Sequence, residues 1–319
     1  MKTFRLYGVR LLVALLLTLA AYNASGSSGS EAGATWTSRT SQGNPLFGVA
    51  YVNGLFVAVG GYSNSWSSAG VILTSPDGVS WTQRTLGGQP LLGVAYGNGL
   101  FVAVGAKGTI LTSPDGVAWT LRNSGTSKDL LGVAYGNGLF VAVGDGGAIL
   151  TSRDAVNWTA RTAGTSNTLF GVAYGNGLFV AVGSHPDPLS FASVILTSPD
   201  GVTWTAQTSG TTDELSGVTY GNGLFVAVGE GGIFSGIFTS PDGVTWTAQT
   251  SGTGNRLNGV AYGNGTFVAV GNFGTILTSP DGASWTQRTS GTSNWLRGVA
   301  HGNGLFVAVG EGGIILTSP

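Results

Sequence analysis

The acidic residues and the two histidines are the groups in this sequence that could carry chemistry. The chain of 319 residues has 14 Asp and Glu, 13 Lys and Arg, two His and no Cys. The lack of cysteine excludes disulfides and thiolate metal sites. Neither His185 nor His301 has a nearby serine-plus-acid arrangement or metal-ligand spacing in the sequence. We therefore predict no catalytic residue, no metal site and no cofactor.

Six of the acidic residues recur in one turn pattern, Ser-Pro-Asp-Gly-x-x-Trp, which is degraded at Asp154. They are Asp77, Asp115, Asp154, Asp200, Asp242 and Asp281. Aspartate in such a turn accepts backbone N–H groups, so we predict a structural role for them. Of the other eight acids, Asp145, Asp187, Asp213, Glu230 or Glu311 could still supply a carboxylate pair for glycoside hydrolysis.

The elements that position these residues are repeats. The segment from Gly93 to Gly105 recurs with small changes, in seven copies spaced 39 to 46 residues apart. The other copies begin at Gly48, Gly132, Gly171, Gly217, Gly259 and Gly298. Each unit is predicted to form four short strands, which in this copy are Gly93–Tyr96, Leu100–Val104, Thr109–Thr112 and Trp119–Arg122. Gly-Asn-Gly and Ser-Pro-Asp-Gly are the turns between them.

Four strands in about 40 residues, repeated around a ring, are typical of a propeller blade. The last repeat reaches Pro319 without a fourth strand, whereas the segment Trp36–Thr40 resembles one. We therefore predict an all-β fold over residues 33–319. It is a seven-bladed β-propeller with four antiparallel strands per blade, in which the N-terminal strand completes the last blade and closes the ring.

The segment Ser75–Trp81 resembles the Asp-box of sialidase-like propellers, with one residue fewer between Asp and Trp. Residues 33–319 are also similar to the propellers of the photosystem II assembly-factor group. The resemblance implies that the box aspartates lock turns on the face opposite an active site. A sialidase-like enzyme also needs three arginines converging at the central funnel. The recurring arginines here fall instead on the fourth, outer strand, where we expect solvated side chains: Arg39, Arg84, Arg122, Arg161 and Arg288.

The repeats differ mainly in the connections of one predicted face, formed by the strand 2–3 and strand 4–1 loops. Every change in length falls in a 2–3 connection, at 61–70, 184–193 and 230–235. Loops on a rigid scaffold are where binding residues concentrate. The candidate ligand-binding residues are therefore Tyr62, Trp66, Asp145, His185, Asp187, Glu230, Trp295, Arg297 and Glu311.

Residues 1–26 resemble a signal peptide, with basic residues before the uncharged run Leu11–Tyr22, and 27–32 a short linker. An uncleaved membrane anchor is the alternative. Removing Lys2, Arg5 and Arg10 from the 13 basic residues leaves 10 against 14 acidic ones, a net charge of −4. This balance argues against nucleic acid and anionic lipid as partners. We expect a monomer that is secreted, or periplasmic or in the cell envelope of a bacterium, and not inserted in a membrane after cleavage.

These observations favour a secreted, non-catalytic binding or scaffolding propeller whose variable loop face takes a glycan, peptide or protein partner. One alternative is a sialidase-like or other glycoside hydrolase. A second is an assembly factor for a membrane protein complex, for which Lys107, Lys128, Arg256 and Arg297 are the candidate basic contacts. A mostly structural ring, produced by recent duplication of one repeat, is also compatible with the sequence.

Overall fold

The structure is a computed structural model that describes residues 31–39, 43–64, 67–185, 193–230 and 236–319. The chain divides into two units, Met1–Glu31 and Ala32–Pro319, and Glu31 is the one described residue of the first. The predicted signal peptide 1–26 lies outside the described residues, as do most of the linker 27–32, Trp66 and Asp187. No helix within the described ranges is long and apolar enough to cross a membrane.

The described residues of the second unit form seven sheets of four strands, the blades, numbered here in chain order. The innermost strands of blades 1 to 7 are β2 (Leu46–Val52), β6 (Leu91–Gly97), β10 (Leu130–Gly136), β14 (Thr168–Gly175), β18 (Leu215–Gly221), β22 (Leu257–Gly263) and β26 (Leu296–Gly302). The second strands are β3 (Leu55–Ser63), β7 (Leu100–Gly105), β11 (Leu139–Gly144), β15 (Leu178–Ser184), β19 (Leu224–Gly229), β23 (Thr266–Gly271) and β27 (Leu305–Gly310).

The third strands are β4 (Ser68–Ser75), β8 (Ile110–Ser113), β12 (Ala148–Ser152), β16 (Ser193–Ser198), β20 (Gly236–Ser240), β24 (Ile276–Ser279) and β28 (Ile315–Ser318). The outer strands are β5 (Thr82–Gly87), β9 (Thr120–Arg122), β13 (Thr159–Arg161), β17 (Thr205–Gln207), β21 (Thr247–Thr250), β25 (Thr286–Arg288) and, for blade 7, β1 (Thr37–Arg39). Short 3₁₀ turns at Ala106–Gly108, Asp145–Gly147, Asn272–Gly274 and Glu311–Gly313 join second to third strands.

The predicted all-β, seven-bladed architecture and its closure are confirmed. All neighbouring strands within a blade are antiparallel, and β1 pairs with β28 so that Thr37 lies opposite Thr317. The predicted bounds of the innermost strands were too short, because the ladder of β6 begins at Leu91, before a bulge at Leu91/Gly93. The third strand begins one residue later than predicted, since a 3₁₀ turn occupies Ala106–Gly108.

The core lies between adjacent blades and is built from the same three aromatic positions in each. In blade 3 the fully buried ring of Phe140 lies 4.6 Å from that of Tyr135 and 6.3 Å from that of Trp158, measured between centroids. A Cβ added to Gly136 would lie 2.0 Å from Cγ of Tyr174, in the next blade. Burying each phenylalanine contributes about 1.5–3 kcal/mol. The repeated aromatic and glycine positions are therefore explained by the packing of one blade on the next.

The recurring arginines lie on the outer strands, as predicted, and each also forms a hydrogen bond within its blade that the sequence did not predict. Each donates from Nε to the threonine hydroxyl of the third strand, at 2.7–2.9 Å; Arg84 is exposed, and the other four are half-buried. Gln207 and Gln249 make the same bond with Nε2. The threonine needs a donor because it is buried, so this bond ties the outer strand to its blade.

Candidate binding face

One face of the ring, which we call the lower face, carries the 1–2 and 3–4 turns and is built from locked turns. Asn98 and Gly99 both have positive φ, as the Asn-Gly signal requires. In the 3–4 turn of blade 5, Oδ1 of Asp242 accepts hydrogen bonds from the N–H groups of Val244 and Thr245 at 2.9 and 2.8 Å. The indole of Trp246 donates to the carbonyl of Gly243 at 2.9 Å.

The same acceptor geometry recurs at the other box aspartates, where Oδ1 bonds two backbone N–H groups and a serine hydroxyl. They are Asp77, Asp115, Asp154, Asp200 and Asp281. These bonds favour the charged carboxylate. The backbone N–H groups of its turn lower the pKa of Asp242 to about 2, and the equivalent N–H groups lower the pKa of Asp281 to about 2 as well. All six carboxylates are therefore committed to turns.

The opposite, upper face carries the 2–3 and 4–1 loops and surrounds the mouth of the central channel. A cavity of about 320 Å³ at this mouth is lined by all seven innermost strands. One position, directly before the repeated glycine, contributes a half-buried side chain from every blade. We call these residues the mouth ring: Phe47, Leu92, Leu131, Phe170, Ser216, Asn258 and Arg297. Blades 1–4 thus form an apolar arc of the mouth, and blades 5–7 form a polar arc.

The polar arc holds two arginines that are paired with glutamates of the upper loops. Arg256 donates from Nη2 to Oε1 of Glu214 and, at 2.9 Å, to Oγ of Ser216, and its Nη1 lies 3.5 Å from Oε2 of Glu230. Its buried Nε has no hydrogen-bond partner among the described residues. Partly exposed pairs of this kind are worth up to about 1 kcal/mol, so a ligand can displace them at low cost.

The second arginine, Arg297, joins three of the residues predicted to bind ligand. Its Nε and Nη2 donate to Oε1 of Glu311 at 3.0 and 2.7 Å. Its Cζ lies 4.9 Å from the ring centroid of Trp295, a cation–π distance. Asp145 and His185 lie in the 2–3 connections of blades 3 and 4, whereas Tyr62, predicted to lie in a loop, is at the end of β3 in blade 1 and pairs with Ala69. The described members of the predicted set are therefore distributed around the face, and those of blade 7 form one contact group.

Asp145 lies in a separate charged group on blades 2 and 3. Burial raises its pKa, and the nearby charge of Asp129 raises it further. Oδ1 of Asp129 accepts the N–H of Lys107 at 2.8 Å, and Nζ of Lys128 donates to the carbonyl of Gly146 at 2.9 Å. Within the described ranges, no group of three or more His, Cys, Asp or Glu side chains is placed to hold a metal ion.

Sequence reasoning missed Phe273, which lies in the 3₁₀ turn of blade 6. Its side chain is 62% exposed, and its φ is +55° although it is not glycine. The equivalent residues of the other 3₁₀ turns are Lys107, Gly146 and Gly312. Of the mouth ring, the sequence singled out Arg297 and missed the other six residues. In both cases the available signal was a residue that differs between copies of an otherwise constant segment.

His301 takes the place of the tyrosine found in the other six innermost strands. Its ring lies 4.7 Å from that of Phe306, so it occupies the packing position that tyrosine has in the other blades. Its buried Nε2 has no hydrogen-bond partner among the described residues, and burial lowers its pKa. The substitution leaves a polar atom unsatisfied in the core.

These features define the chain as a seven-bladed β-propeller with a locked lower face and a varied upper face. No protein-family model and no curated protein sequence matches it. Solved structures are similar to it in fold. YCF48 bound to D1 peptide has a TM-score of 0.67 and 18% identity, over 89% of this chain and 96% of that one.

Two further structures have the same architecture. YCF48 from Cyanidioschyzon merolae also has a TM-score of 0.67 at 18% identity, over 89% of this chain and 98% of its own. The computationally designed Ika8 protein has a TM-score of 0.60 at 10% identity, over 88% of this chain and 98% of its own. Likeness at these identities extends to the fold and no further.

Proposed function

We propose that this chain is a binding propeller that holds an extended segment of a protein partner across its upper face, over the channel mouth. The observation that carries the proposal is the two-sided mouth ring. An extended peptide directs alternate side chains to opposite sides. A segment that alternates apolar and polar residues would therefore place one set on Phe47, Leu92, Leu131 and Phe170 and the other on the arc of blades 5–7.

The polar arc supports the same proposal through its hydrogen-bonding capacity. The side chains of Arg256 and Arg297 are both 28% exposed, and their guanidinium groups are donors that peptide carbonyls can accept from. The glutamates that pair with Arg256 and Arg297 come from loops, so they can exchange partners when a ligand arrives. Charge complementarity of this kind favours specificity more than affinity.

The structural neighbours support a peptide ligand by analogy. YCF48, which is similar to this chain over most of its length, has been solved bound to D1 peptide. A peptide-binding role is also what the assembly-factor alternative requires, with the segment belonging to a subunit of a membrane complex. We include in the proposal that residues 1–26 direct export, so that the partner is met in the cell envelope or outside the cell. The intact mass of the protein recovered from the envelope fraction tests this part.

The test is binding of the full chain to an array of peptides in which Leu or Phe alternates with Asp or Asn. Peptides of the same composition in shuffled order serve as the reference. Phe170→Ser places in blade 4 the residue that blade 5 carries at Ser216, and we expect it to weaken binding about tenfold, or ~1.4 kcal/mol. Val202→Ser, which removes an exposed apolar side chain from a lower-face turn, is the matched control.

Two outcomes contradict the proposal. One is equal binding of alternating and shuffled peptides by the wild-type protein. The other is a correctly folded Phe170→Ser protein that binds the selected peptides as tightly as the Val202→Ser control does.

A further inference from the structure

Phe273 combines two properties that oppose stability. Left-handed backbone is strained for a bulky side chain, and φ at Phe273 is +55°. The ring is also 62% exposed, so it gains little from burial. Gly146 and Gly312 occupy the same position in sister turns without strain. Lys107 has the same backbone in blade 2, with φ +53°, but a charged side chain suits an exposed position, whereas an exposed aromatic ring at a strained position indicates a function outside folding.

Phe273 lines an open cleft at the outer side of blade 6, beside the loop that leads to blade 7. The ring of Trp295 packs edge-to-face against the ring of Phe273, with centroids 6.1 Å apart at an interplanar angle of 79°. The cleft has a volume of about 700 Å³. Its remaining side chains are mostly hydroxyls and amides, among them Asn255, Thr275, Thr289, Thr292 and Ser293.

Of the described residues that line this cleft, Arg288 alone is charged. Its Nε donates to the hydroxyl of Thr278 at 2.8 Å, which commits it to the scaffold. Asn255 donates from Nδ2 to Oγ1 of Thr275 at 2.8 Å, so its amide plane is held in place. The cleft therefore presents one aromatic side chain among polar groups that are neutral except for Arg288.

We propose that this cleft binds a neutral hexopyranose unit of a glycan, stacked on the ring of Phe273. A pyranose has an apolar face of C–H groups and a rim of hydroxyls that both donate and accept, which matches one aromatic wall among hydroxyls and amides. An apolar peptide side chain would match the aromatic ring but would form no hydrogen bonds with the surrounding hydroxyls and amides. This site is separate from the channel mouth and does not rest on the peptide proposal.

The scaffold of the cleft is not special to blade 6. The hydroxyl of Ser290 donates to the carbonyl of Thr292 at 3.1 Å, and Ser124 and Ser251 make the equivalent bond in other loops, to Thr126 and Thr253 at 3.2 and 3.1 Å. Among the four described 3₁₀ turns, Phe273 is the one aromatic residue at its position. Saccharide binding would therefore depend on Phe273, because the surrounding loop structure is repeated in other blades.

The experiment measures binding of the full chain to an array of neutral oligosaccharides of glucose, mannose, galactose and N-acetylglucosamine. The best binder is then titrated against variants. We expect Phe273→Gly to weaken binding tenfold or more while the melting temperature stays equal or rises, since glycine relieves the strain. Phe273→Trp keeps a flat ring and should retain binding, whereas Phe273→Leu should lose it. Lys107→Gly, at the matching position of blade 2 with φ +53°, is the control.

Three results would overturn the proposal. The first is that no neutral oligosaccharide binds the wild-type protein. The second is that Phe273→Gly and Phe273→Leu bind as well as the control does. The third is that Phe273→Gly loses binding to array peptides but not to saccharides, which would assign the ring to the peptide surface. Because peptide and saccharide binding are measured with different probes, failure of either proposal leaves the other open to its own test.

Discussion

Arg39 donates a hydrogen bond from Nε to Oγ1 of Thr317 at 2.8 Å, across 278 residues of chain. The same bond recurs inside blade 2, where Arg122 donates to Thr112 at 2.9 Å, ten residues away. The pair at Arg39 thus helps to hold β1 (Thr37–Arg39) in blade 7 and with it the closure of the ring. The bond of Arg39 therefore connects the two ends of the chain, whereas the bond of Arg122 connects neighbouring strands within one repeat.

This difference predicts unequal effects of the same substitution. Arg122→Ala should lower the free energy of unfolding by about 1 kcal/mol, the usual contribution of one hydrogen bond. Arg39→Ala should lower it further, because only three residues pair β1 with β28 and their release opens the ring. Urea unfolding of both variants, followed by tryptophan fluorescence, measures the difference. Equal losses would mean that β1 is held by other contacts.

The packing of blades predicts a strong effect at the ends of the innermost strands. In Gly136→Ala the new Cβ would lie 2.0 Å from the ring of Tyr174, so we expect a loss of about 1–3 kcal/mol from overpacking. Gly254→Ala is the control, because a Cβ there meets no atom within 4 Å. Thermal unfolding of both proteins checks the prediction, which a Gly136→Ala protein of wild-type stability would contradict.

The turn aspartates predict a loss of stability in acid. The pKa of Asp281 is lowered from 3.8 to about 2 by the backbone N–H groups of its turn. The unfolded chain therefore takes up protons first as the pH falls, and the stabilisation present above pH 4 is lost on the way to pH 2. Six such turns act in the same direction. The melting temperature should therefore decrease as the pH is lowered from 4 to 2.

Asp281→Asn isolates one of these turns. The amide keeps an acceptor oxygen but does not titrate, so the variant should lose less stability than the wild type over the same pH interval. Ser284, whose N–H and hydroxyl both donate to Asp281, remains in place in this variant. Identical acid profiles for the two proteins would count against the turn as the source of the effect.

His301 predicts a second pH dependence, near neutrality. Burial lowers its pKa in the folded chain, so protonation favours the unfolded state. Stability contributed by the neutral ring is present above the usual pKa of 6.5 and is lost as the pH falls toward the lowered value. His301→Tyr restores the residue of the other repeats, and should raise the melting temperature and flatten its decline below pH 6.5. A decline that is unchanged in the variant would assign it to another group.

The fold was predictable because its signals are local and repeated. The Asn-Gly turn at Asn98, the box turn at Asp242 and the alternation of short strands each depend on a few adjacent residues. The unequal ends of the chain, Trp36–Thr40 and Ile315–Pro319, were sufficient to predict the closure. The bonds of the outer arginines were not predicted because Arg84 and Thr74, which form one of them, lie on different strands.

The candidate sites show the same difference between features that are visible within one repeat and contacts that depend on the tertiary structure. Sequence analysis selected the upper face and Trp295, Arg297 and Glu311, because loops that vary between repeats stand out in a list of copies. It did not reveal the two arcs of the mouth ring or the contact of Arg256 with Glu214, which are 42 residues apart. Nor did it reveal the cleft beside Phe273. Such groups form only when neighbouring blades meet around the axis, so their chemistry depends on interblade distances that no single repeat contains.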